Sequence, residues 1–136
     1  MMGMLRDTGF AVGMRLTRLS LRFAGFRRTV SLLGGLPTPL AEQPAQSIDV
    51  ARWVDVIRRM GGRPYGASCL DRSVFLWFVM RQRGLVGQIR IGVTSDGDRL
   101  DGHAWVEHDG LVVNDDPNVA TRFAVFDDDP IGIVFS

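Results

Sequence analysis

Residues 14–33 place Leu16, Leu19, Phe23, Phe26, Val30 and Leu33 at alternating spacings of three and four. That is the spacing of one helix face. Arg15, Arg18, Arg22 and Arg28 lie off the stripe, so the pattern predicts one amphipathic helix. Gly25 within it should weaken the helix by about 1 kcal/mol. Gly34-Gly35 stop it, and residues 34–47, with Pro37, Pro39 and Pro44, read as a linker. A second helix is predicted over residues 48–60, with Val50, Trp53, Val54 and Ile57 as its buried face and Gly61-Gly62 as its end. A third is predicted over residues 69–83. Ser68 suits its N-cap, Asp71 its first turn, and Arg81, Arg83 and Gly84 its end. Leu70, Val74, Trp77, Phe78 and Met80 cover much of its circumference, so it should lie at the centre of the fold.

After Gly84 the period becomes two. Ile89, Ile91 and Val93 alternate with Gln88, Arg90 and Gly92, a half-buried strand. Residues 95–98 read as a turn. Two further strands, 103–107 and 111–115, flank His108-Asp109-Gly110, a hairpin signal. Residues 127–130 read as an acidic turn and 131–135 as a last strand. No segment repeats. The fold class this predicts is α+β: a central helix against a small antiparallel sheet, with helices ahead of it.

The chain has 136 residues, one domain's worth. The division expected along it is a basic helix and linker over residues 1–47, then the main domain over 48–136, together one compact unit. One Cys and two His exclude a disulfide framework and disfavour a His/Cys metal cluster. The net charge of +1 conceals an asymmetry: residues 1–33 carry six Arg and one Asp, whereas the remainder carries ten Arg and fourteen acids. Every basic residue is Arg. The basic half could meet nucleic acid, anionic lipid or an acidic peptide, and charge alone does not choose among them; it lacks the interleaved aromatics of a nucleic-acid binder, so nucleic acid is not expected. No run approaches the ~18 apolar residues of a membrane span. Arg6, Arg15 and Arg18 interrupt every candidate signal-peptide core, so a cytoplasmic protein with a reduced thiol is expected.

The chemistry concentrates in three residues. Cys69, the only Cys, opens the most apolar helix. Amide dipoles at a helix start favour a thiol's anion, the nucleophilic form. The alternative is a small buried hydrophobe, as free Cys usually is. His103 opens a strand and an Asp closes the strand paired with it. A two-residue loop, Asp109-Gly110, would pair His103 with Asp116. A three-residue loop would pair it with Asp115 and put His103, Trp105, Leu111, Val113 and Asp115 on one face. The second register is preferred, because it makes that face apolar in the middle, with Ala104, Val106 and Asn114 on the other. Asp116 is the fallback. His108, at the hairpin tip, should be solvated. Cys69, His103 and Asp115 are then the parts of a nucleophile, a base and a base-orienting carboxylate.

These residues resemble a family. Cys69-Leu70-Asp71-Arg72-Ser73, Arg81-Gln82-Arg83-Gly84, Ile91-Gly92-Val93, His103-Ala104-Trp105-Val106-Glu107, Gly110 and Asn114-Asp115 are similar, in that order, to the lasso peptide leader peptidases. These are the B2-type biosynthesis proteins of the transglutaminase-like, papain-like superfamily. The likeness covers about residues 48–116. It implies that Cys69 is the nucleophile, His103 the general base and acid, and Asp115 the residue orienting it. It implies no cofactor. It also implies cleavage of a precursor peptide at the leader–core junction, with preference for a Thr near the leader's C-terminal end. An ATP-dependent macrolactam cyclase would then act on the freed core. Only 47 residues precede the matched part, too few for the winged-helix domain that some members carry. The expectation is therefore a stand-alone peptidase served by a separate, B1-type recognition protein, with the basic helix as a docking surface. Two rivals stand beside this: a transglutaminase-like amidase or acyltransferase, and a non-catalytic adaptor working through the Arg-rich helix.

Overall fold

A computed structural model describes residues 2–36, 47–59 and 68–125. It contains helices α1 (Met2–Phe23), α2 (Phe26–Gly34), α3 (Ser47–Arg59), α4 (Cys69–Gln82) and α5 (Val119–Arg122), and strands β1 (Gln88–Asp96), β2 (Arg99–His108), β3 (Leu111–Val112) and β4 (Ala124–Val125). The strands form one antiparallel sheet in the order β3-β2-β1-β4. The fold is α+β, and α4 is its hub, touching α1, α2, α3, β1 and β2. The segments 37–46, 60–67 and 126–136 lie outside the described residues. With them go most of the expected linker, the Gly61-Gly62 stop, the acidic turn and the last strand.

The helix expected over 14–33 is two helices. Gly25 breaks it rather than weakening it, with φ of 88°, a backbone region L-residues avoid. The Ser20 and Thr29 hydroxyls bond across the break at 2.8 Å and hold α2 against α1. The break resets the helical phase, so half of the expected stripe is wrong. Val30 is buried, with Phe26 and Leu33 packed against the core. Leu16, Leu19 and Phe23, however, stand in solvent. The face that α1 turns to α4 is Phe10, Gly13, Met14 and Thr17. Phe10 meets Phe75 edge-on at 5.4 Å, and Met14 and Thr17 are buried. A Cβ on Gly13 would lie 2.6 Å from the Phe75 ring, so the small residue sets the distance between the helices. Close approach, not the largest side chains, decides which side of α1 is inside.

The other two helices follow their sequence signals. Val50, Trp53, Val54 and Ile57 of α3 are buried, as the spacing predicts. They share one core with Met14, Val30, Val106 and the α4 residues Val74, Phe75, Leu76, Trp77 and Met80. Ser68 caps α4. Its Oγ accepts from the Asp71 N–H at 3.1 Å, and the Asp71 carboxylate accepts from the Ser68 N–H at 3.0 Å. At the far end, Arg81 donates to the Gly34 carbonyl at 3.0 Å, satisfying an end of α2. Among the described residues no helix is long and apolar enough to cross a membrane.

The sheet departs from the expected pattern at three points. β1 runs on through Ser95 and Asp96, so the turn is shorter than residues 95–98, and β2 begins at Arg99 rather than His103. The β2–β3 hairpin uses the two-residue loop, with His108 opposite Leu111. Asp109 and Gly110 both take positive φ, 52° and 78°, the geometry that matches strand twist. The preferred three-residue register is therefore incorrect. Val113 follows Val106's side, donating to the Val106 carbonyl at 3.0 Å, instead of sharing a face with Trp105. β3 also ends at Val112, short of the expected Asp115. The sequence pattern gave no sign of α5 or β4.

Candidate active site

Cys69 is the first residue of α4, half-buried and in no disulfide. The cap around it is held from two directions: Ser68 and Asp71 bond reciprocally, and Arg18 of α1 stands 3.9 Å from the Asp71 carboxylate. Asp71 is itself nearly buried, so this junction fixes where α4 begins.

His103 lies on β2, directly across the ladder from Gly92. Its Nε2 bonds the Asp115 Oδ2. A carboxylate only accepts, so Nε2 carries the proton and Nδ1 is the ring's acceptor in the neutral form. The sequence-predicted pair therefore meets, though not by the predicted route. The two-residue register would have run Asp116 up to His103. Instead the chain leaves the ladder after Val112, and the bend through residues 113–115 brings Asp115 to the imidazole. Asp116 also lines the cleft but has other partners: its carboxylate accepts from the Asn118 N–H at 3.0 Å and lies 3.8 Å from Arg122, which also stands 3.9 Å from Asp115.

Asn114 makes that bend possible. Its Oδ1 accepts from the Val106 N–H at 2.8 Å, and its Nδ2 donates to Ser73 Oγ at 3.2 Å. Ser73 is fully buried on α4, four residues after Cys69. One amide thus replaces a ladder partner for β2 and ties the strand to the Cys-bearing helix. Neither Asn114 nor Ser73 carries a role in the sequence reading. Their only signal is membership of the Asn114-Asp115 and Cys69-to-Ser73 segments.

His108 differs from expectation. It is not left to solvent, since its Nδ1 donates to the Val86 carbonyl at 2.7 Å.

Cys69, His103 and Asp115 line one cleft of about 320 Å³. Val54, Ile57 and Leu76 supply apolar lining, and Arg58 of α3 and Arg72 of α4 line it too. A concave site with apolar walls and a few convergent polar groups has the make-up of a binding or catalytic cleft. Among the described residues no group of three or more His, Cys, Asp and Glu could hold a metal ion.

The sequence model described as Transglutaminase-like superfamily matches residues 13–127, most of the chain. The chain belongs to the transglutaminase-like superfamily. Members of the transglutaminase-like superfamily are typically cysteine-dependent enzymes, a general kind of activity that fits a thiol, an imidazole and a carboxylate in one cleft. The match takes in α2 and much of α1, upstream of the motif-bearing segment. No curated protein and no solved structure matches the chain.

Proposed function

We propose that this transglutaminase-like protein is a cysteine endopeptidase that removes the leader from a lasso peptide precursor. The observation that carries the proposal is the shared cleft of Cys69, His103 and Asp115, with His103 already bonded to Asp115 through Nε2. The motif series from Cys69 to Asp115 supports the substrate class.

The chemistry follows from the tautomer. Nδ1 of His103 accepts the Cys69 proton as Sγ attacks the carbonyl at the leader–core junction. The Cys69 backbone N–H supplies one donor for the oxyanion. Such a donor is worth roughly 10²–10³ in rate. The imidazolium returns its proton to the leaving amine, the C–N bond breaks, and a thioester remains. Water, deprotonated by Nδ1, then displaces Sγ and frees the leader. Asp115 keeps Nε2 protonated and the ring in place throughout.

A separate recognition protein would deliver the precursor. The solvent-facing Val12, Leu16, Leu19 and Phe23 of α1 support a docking role for that helix beside its arginines. A cyclase would consume the freed core.

The test is to incubate the full chain with a lasso precursor, with and without its recognition protein, and weigh the products. Leader and core should appear, and Cys69→Ala should abolish them. An unchanged cleavage rate in Cys69→Ala overturns the enzyme reading and leaves the adaptor. The rival is a transglutaminase-like amidase or acyltransferase. Adding a primary amine separates the two: water alone as acceptor supports the peptidase, and an amide product the transferase.

A further inference from the structure

The imidazole of His103 has more neighbours than a base and its carboxylate require. Phe123 stacks on it, with ring centroids 5.0 Å apart and planes 20° from parallel. Trp105 stands 5.9 Å from His103 and 6.1 Å from Phe123, so the three rings form a triangle. Trp105 is fully buried and its indole N–H donates to Glu107 at 2.9 Å, which fixes one corner. The Phe123 corner is fixed by its backbone. Val119, at the start of α5, is fully buried, and Ala124 and Val125 pair with Val93 and Gly92 of β1.

Gly92 is what lets the rings meet. It sits across the ladder from His103, and its side-chain position opens onto the same face. A Cβ there would lie 2.7 Å from the Phe123 Cβ and 3.2 Å from the Trp105 ring. Glycine weakens a strand interior, and close packing is the usual reason it is found there.

A histidine ring rotates easily about its second side-chain torsion, because that well is broad. The bond to Asp115 fixes the ring's rotation within its plane but not the tilt of the plane. A flat stack fixes the tilt and leaves in-plane rotation open. Together they determine the ring's orientation, and with it where Nδ1 points.

We propose that Phe123 is a positioning residue for His103, holding the imidazole plane so that Nε2 meets Asp115 while Nδ1 serves the cleft, with Gly92 making the room. This rests on the reading of His103 as the base.

Two measurements on the full-length protein test it, and neither needs the peptide substrate. The first is the rate at which iodoacetamide alkylates Cys69 at neutral pH. The chain has one Cys, so the signal is unambiguous. The second is the proton NMR signature of the His103 ring, one of only two histidines, with His108 as internal control. Phe123→Leu keeps apolar bulk but not the stack. It should slow alkylation about tenfold, the scale of a small misplacement. It should also move the His103 ring protons off their ring-current-shifted positions while His108 stays fixed. Phe123→Trp, which keeps an aromatic face on the imidazole, should restore the alkylation rate. Gly92→Ala should reproduce the Phe123→Leu effects from the other side of the contact. Wild-type alkylation in folded Phe123→Leu overturns the proposal, because the His103 signals move with the loss of the ring current alone. His103→Ala separates the two ideas. Alkylation unchanged in that variant removes His103 as the base. Alkylation slowed there, but not in Phe123→Leu or Gly92→Ala, removes Phe123 alone.

Discussion

His103 donates through Nε2 to Asp115, a residue the strand ladder does not place opposite it. The contact exists because β3 stops at Val112 and the Asn114 side chain takes the Val106 N–H in place of a strand carbonyl. The neighbouring Asp116 accepts from the Asn118 N–H, and Arg122 stands beside both carboxylates. Asp115→Asn should therefore lower turnover by roughly 10²–10⁴-fold, through the wrong tautomer and a loosened ring. Asp116→Asn should leave turnover close to wild type. Steady-state rates for the two variants, measured side by side, check this; equal losses would contradict the geometry.

Asn114→Ala leaves the Val106 N–H and the Ser73 hydroxyl without their partner. A buried donor left unpaired costs about 1–3 kcal/mol. Urea unfolding should show a loss of that size, with a smaller one for Ser73→Ala. An unchanged midpoint in Asn114→Ala would mean that water replaces the amide at no cost.

Ser68→Ala removes the hydroxyl that accepts from the third residue of α4. The expected loss is about 0.5–2 kcal/mol in unfolding free energy. Because Cys69 is the next residue, the variant should also slow iodoacetamide alkylation. Ser68→Asp, which keeps an acceptor at the cap, should recover both.

The two sides of α1 should respond oppositely to truncation. Met14→Ala, at a site 2% exposed, should cost about 2–5 kcal/mol. Leu16→Ala, at a site 62% exposed, should stay within about 0.5 kcal/mol. Thermal melts of the two variants decide whether Gly13 and Met14, rather than Leu16 and Leu19, face α4.

Local rules carry well where a residue's partners are sequence neighbours. Ser68 and Asp71 cap α4 because three residues separate them, and Val50, Trp53, Val54 and Ile57 share a face because the helix period puts them there. The same rules misread α1. Two faces of that helix carry apolar residues, and the choice between them belongs to Phe75, more than fifty residues away. They misread the hairpin for a similar reason. Both registers give an alternating face, and only positive φ at Asp109 and Gly110 selects one.

The amino-acid order alone determined the α+β class, the Cys at a capped helix start, and the short roster holding Cys69, His103 and an Asp at 115 or 116. Those follow from spacing and composition. Tertiary structure decided which Asp bonds His103, which side of α1 is inside, and that Gly92, Trp105 and Phe123 surround the imidazole. Each of these is a contact between segments distant in the chain. Sequence period fixes the direction of a side chain relative to its own element; only packing fixes what it meets.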